Sequence, residues 1–144
     1  MNHYRLRGAT LMEMIVVIGI AGVLLGMGLP LTWDFYLKSE LRSERSNAVQ
    51  YLRTARTRAM SNRGESAHGM ALINSNFVIF EGATYAGRNV ARDQAFPKSL
   101  GITATGTTEF VFAALSGRSA SSSITFITSS GSTTVFVNNE GLIQ

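Results

Sequence analysis

The placement of one carboxylate, Glu13, most needs a chemical explanation in this 144-residue chain. It stands one position before an uncharged run, Met14–Leu31 (MIVVIGIAGVLLGMGLPL). A carboxylate beside such a run costs a few kcal/mol in hydrocarbon unless it has a partner. Two readings are open to it: a partner that offsets the charge, or snorkelling to a polar interface. Gly8 lies between a basic leader (Arg5, Arg7, no acid) and the apolar segment, a small residue in an extended stretch where a protease can cut. Elsewhere the parts for catalysis are few. The chain has no Cys, which excludes disulfides, thiolate metal sites and cysteine nucleophiles. Its two His and nine carboxylates form no metal-ligand spacing. His68 has no Ser/His/Asp set around it and reads as a strand-edge surface residue. Gly117-x-x-x-x-Ser122 lacks the Lys of a phosphate loop. The expectation is a protein that is not an enzyme and uses no cofactor or metal.

The elements that position Glu13 follow from composition. The chain is 45% hydrophobic and only 15% charged, which excludes charge-driven disorder. The apolar excess is concentrated in Met14–Leu31, roughly 27 Å of helix and about the thickness of a bilayer's hydrocarbon core. Arg5 and Arg7 before it put the N-terminus in the cytoplasm by the positive-inside rule, with everything after Trp33 exported. The run is longer than a signal-peptide core, and no A-x-A-like site follows it. A membrane-anchored chain is therefore expected.

Thr32–Arg63 holds no Gly or Pro and is rich in Leu, Arg, Ala and Glu, so the helix is expected to continue through it. Leu37, Leu41, Ala48, Leu52, Ala55 and Ala59 fall on one arc. Lys38, Arg42, Arg45, Arg53, Arg56 and Arg63 form a second stripe beside it. This stripe reads as a solvated flank, contacting acids such as Asp34, Glu40 and Glu44 on adjacent turns, in preference to a footprint for DNA or an acidic partner. Asn62 and Gly64 supply a stop. After Gly64 the texture changes to short strand-like runs: Met70–Ile73, Phe77–Glu81, Ile102–Thr105, Glu109–Ala113, Ile124–Thr128 and Thr133–Asn138. Glycines and Asn74-Ser75-Asn76 punctuate them as turns, which predicts antiparallel sheets in a small β domain with the amphipathic helix as one wall. The Ser/Thr-rich stretch 116–134 reads as polar faces and loops of strands, not as a glycosylated or adhesive tract.

Arg7-Gly8-Ala9-Thr10-Leu11-Met12-Glu13, followed by the apolar run with Gly22 and Pro30, resembles the N-terminus of a type IV pilin or pseudopilin precursor. That family has a short basic leader, a Gly at the cleavage point, Thr-Leu, a Glu and about twenty apolar residues with a late Pro. Ala9 stands where the family usually has Phe. More weakly, LRTARTRAMSNRG and the closing VFVNNEGLIQ resemble the GspH/FimT-like subgroup.

The resemblance implies cleavage by a prepilin peptidase between Gly8 and Ala9, and N-methylation of Ala9. It implies assembly through Thr10, Leu11 and Glu13, with Glu13 pairing with the Ala9 amine of a neighbouring subunit, and helix melting around Gly26, Gly28 and Pro30. The implied organisation is a leader at 1–8, a transmembrane and assembly helix at 9–33, an amphipathic continuation at 34–63 and a globular β domain at 64–144. The implied fold is α+β, with a helix over about 10–63 as a spine packed against a small antiparallel sheet domain. The implied function is that of a structural subunit of a type IV pilus, with a pseudopilin of type II secretion as the alternative. The implied partners are like subunits in a helical filament, the prepilin peptidase, an inner-membrane assembly platform and membrane lipid before assembly. The implied location is the inner membrane as a single-pass protein, then an extracellular pilus or periplasmic pseudopilus. DNA receptors of this group use basic residues late in the chain; here only Arg118 lies beyond Lys98, so nucleic acid is not expected as a partner.

Overall fold

The computed structural model describes residues 10–144, the side chains of 27–32 excepted. Gly8 and Ala9 therefore lie outside the described residues, as do the side-chain surroundings of Gly28 and Pro30. The protein is α+β, with all strand pairing antiparallel. A helix, α1 (Leu11–Met60), is followed by seven strands: β1 (His68–Ile73), β2 (Asn76–Glu81), β3 (Gln94–Pro97), β4 (Thr103–Gly106), β5 (Glu109–Phe112), β6 (Ser122–Thr128) and β7 (Gly131–Val137). The chain divides into two compact units between Tyr36 and Leu37.

In the first unit the apolar side chains from Leu11 to Leu25 are all exposed. Among the described residues, no helix is long and apolar enough to cross a membrane. The run expected to do so, Met14–Leu31, extends into 27–32, whose side chains lie outside the described residues.

In the second unit, Leu41, Ala48, Leu52, Ala55 and Ala59 are buried at the helical spacing the sequence carries. They join Met70, Phe77, Ile79, Phe110, Phe112, Ile124, Phe126, Val135 and Val137 in one core. The period-2 alternation of β5, β6 and β7 explains which of their residues point inward. One sheet has the order β3-β2-β1-β5 and the other β4-β6-β7. β1 and β2 are buried on both faces. On the outer side Phe80 meets Tyr85 edge-on at 5.6 Å, and Arg88 lies 3.6 Å from the Tyr85 ring centroid.

Several expectations change. The helix ends at Met60, short of Arg63, because Asn62 takes the left-handed conformation (φ 48°). The carbonyl of Ala59 accepts from the N–H groups of Asn62 (3.0 Å) and Leu115 (2.9 Å), so a distant loop helps cap the helix. The first hairpin turns on Asn74 and Ser75 alone, both with positive φ, while Asn76 begins β2 and pairs with Ile73. β3 was not expected: its four residues carry one large apolar side chain, and it sits exposed at a sheet edge where Pro97 is tolerated. His68 is not a surface residue; it is 3% exposed, on the central strand β1, and its Nε2 lies 2.8 Å from the Arg63 carbonyl. Glu44 is not on a charged flank either, and is 2% exposed within the helix's buried face.

Candidate functional site

At the helix start, Thr10 is the N-cap. Its Oγ1 accepts the Glu13 N–H at 3.2 Å, and its carbonyl accepts the Met14 N–H at 3.2 Å. Thr10-x-x-Glu13 has the spacing of a capping box, which the sequence itself carries. Glu13 thus sits in the first turn, where the helix dipole favours a carboxylate. Leu11 is 78% exposed, and Met12 through Leu25 present apolar side chains around the whole helix circumference.

Gly19, Gly22 and Gly26 have no packing role among the described residues. A Cβ built on Gly19, Gly22 or Gly26 meets nothing within 4 Å. Gly69 contrasts with them, since a Cβ there would lie 2.4 Å from Phe80 Cζ and 2.5 Å from the Phe110 carbonyl oxygen. Trp33, Phe35 and Tyr36 are also exposed, with the Trp33 and Tyr36 rings 6.1 Å apart.

The basic stripe splits up in three dimensions. Arg56 turns toward the end of the chain and donates to the Glu140 carbonyl at 3.2 Å. Arg58, which lies outside the stripe, donates to Gln94 Oε1 at 2.6 Å, and burial together with the neighbouring Arg63 pulls its guanidinium below the ordinary value. Lys38 and Arg42 lie near Ser130–Thr133, at another part of the unit. Glu44 Oε1 accepts the Ser99 N–H at 3.3 Å. Burial raises its carboxyl above the usual value, with the Ser99 hydrogen bond and Lys98 partly offsetting the rise. Its position between Leu41 and Ala48 on the apolar arc was the available signal.

The closing segment is organised by Asn138. Its Oδ1 accepts the N–H groups of Glu140 (3.0 Å) and Leu142 (2.8 Å), and Gln144 pairs back onto Phe136. Among the described residues, no group of three or more His, Cys, Asp or Glu side chains could hold a metal ion. No family model, curated protein or solved structure matches the chain.

Proposed function

We propose that the chain is a structural subunit of a type IV pilus, made as a precursor, cut between Gly8 and Ala9, and polymerised through its N-terminal helix. One observation carries this reading: among the described residues, every apolar side chain from Leu11 to Leu25 is exposed. That much contiguous apolar surface must be covered by lipid or by other chains. The capped Thr10-x-x-Glu13 turn at its start, the leader with Gly8, and Gly19, Gly22 and Gly26, which meet nothing among the described residues, support a helix that changes from one cover to the other. In the lipid state the run Met14–Leu31 spans the inner membrane with the N-terminus cytoplasmic. In the assembled state α1 is the spine, the segment around Gly26, Gly28 and Pro30 loosens, and the β-sheet unit faces outward as in a pilin fold.

The test is electron microscopy and mass spectrometry of sheared surface filaments. The expected result is a filament containing this chain beginning at a methylated Ala9. Finding it only in a periplasmic assembly would assign it to the pseudopilus instead. Unchanged processing of Gly8→Ala, or normal assembly of Glu13→Ala, would refute the roles given to those residues.

A further inference from the structure

A recess of about 360 Å³ opens beside the C-terminal end of α1, lined by Arg58, Arg63, His68, Glu81, Arg92 and Gln94 among others. The backbone holds its walls firmly. His68 ties down the carbonyl of Arg63 at 2.8 Å. The Glu81 carboxylate lies under Gly64, where a Cβ would come within 2.7 Å of it.

The charges in this recess do not balance. Glu81 is taken by Arg92 at 3.1 Å, and Asp93, which also lines the recess, is taken by Arg88 at 2.7 Å. The remaining carboxylate oxygen of Asp93 is closed off from solvent. Arg58 has only the neutral Gln94 amide as a partner, and Arg63 has no carboxylate within ion-pair distance among the described residues. Two guanidiniums therefore line one recess with no carboxylate paired to either among the described residues, and burial, with Arg63 nearby, lowers the affinity of Arg58 for its proton. Guanidinium forks suit oxyanions, which accept paired charge-assisted hydrogen bonds.

We propose that this recess binds a single oxyanion group, a phosphate or a carboxylate, between Arg58 and Arg63, with Arg92 as a third donor released from Glu81. A nucleic-acid track is disfavoured, because Arg56 is turned to Glu140 and Lys38 and Arg42 lie elsewhere. The inference is independent of the filament reading.

The experiment is calorimetric titration of the full chain in nonionic detergent at low ionic strength, with inorganic phosphate and, separately, with succinate. Saturable binding of at least one is expected, weakened at least about tenfold in R58Q/R63Q and in the exposed-site variant R63Q alone. R118Q, outside the recess, should bind as the parent does. E81Q should bind several-fold more tightly, because it removes the internal competitor for Arg92; a merely structural role for these residues would not produce that gain. Phosphate alone binding would identify a phosphoryl group as the ligand, and succinate binding a carboxylate such as an acidic side chain. No saturable binding of either probe, or unchanged affinity in R63Q, would overturn the proposal.

Discussion

Leu52 and Leu24 lie on the same helix, yet the structure predicts opposite consequences for truncating them. Leu52 is fully buried in the second unit, with Ala48 and Ala55 beside it on the helix face. Neither alanine can extend into the space that Leu52→Ala would leave, so the cavity should persist. The cost then falls in the upper part of the usual range for a buried Leu→Ala change, about 3–5 kcal/mol. For a domain of this size each kcal/mol lowers the melting temperature by roughly 4 °C, so a drop of about 12–20 °C is expected. Leu24 is 66% exposed and touches no core, and Leu24→Ala should change stability by no more than about 0.5 kcal/mol. Thermal unfolding of both variants in the same detergent, followed by circular dichroism, decides the matter. A loss below about 1 kcal/mol for Leu52→Ala would mean that α1 does not wall the core. An equal loss for Leu24→Ala would mean that the N-terminal segment is covered within the chain after all.

Three further outcomes follow from single contacts. The carboxyl of Glu44 is raised on folding from a reference of 4.5, so the folded state holds its proton more tightly and stability falls as pH rises above that value. Glu44→Gln keeps an acceptor for Ser99 and should flatten that slope, gaining on the parent between acid and neutral pH in denaturant titrations; an unchanged slope would refute the assignment. Gly69→Ala should cost about 1–3 kcal/mol, since the backbone oxygen of Phe110 cannot yield as a flexible side chain could, and urea unfolding would measure it. Asn138→Ala should cost about 1–2 kcal/mol and raise amide exchange at Phe136 and Gln144, the backbone pair beyond the turn that Asn138 closes.

The parts of the fold governed by local periodicity were legible in the sequence. The arc from Leu37 to Ala59 (half-buried at Leu37, buried from Leu41 on) and the alternation of Phe110 with Phe112 and Ile124 with Phe126 mark residues that face the core. What escaped depends on tertiary partners. β3 carries too little apolar pattern to announce itself and exists because β2 offers an edge. His68 and Glu44 look like surface residues by type, and their burial depends on the Arg63 carbonyl and the Ser99 amide, which the chain brings in from elsewhere. The arginine recess likewise draws on residues from the end of α1 to β3, and no one-dimensional stripe contains Arg58, Arg63 and Arg92 together. Thr10-x-x-Glu13 is different: its capping spacing is local and readable, and it stands beside an apolar run that gives Glu13 a second, membrane explanation.

Those two explanations of Glu13 are compatible, and together they bear on what would drive assembly in the proposed filament. A side chain such as Leu24 is about as well solvated by lipid as by neighbouring helices, so transfer from one to the other yields little hydrophobic free energy. What remains is close packing, to which uncrowded glycines at 19, 22 and 26 lend themselves by letting backbones approach. A carboxylate and an ammonium behave differently, because each is costly alone in hydrocarbon and the cost is relieved only when they meet. The helix dipole reduces the cost of the Glu13 carboxylate in the first turn without supplying a counter-charge. On the proposed reading the apolar run therefore sets where the helix resides, and Glu13 sets the register in which one subunit accepts the next.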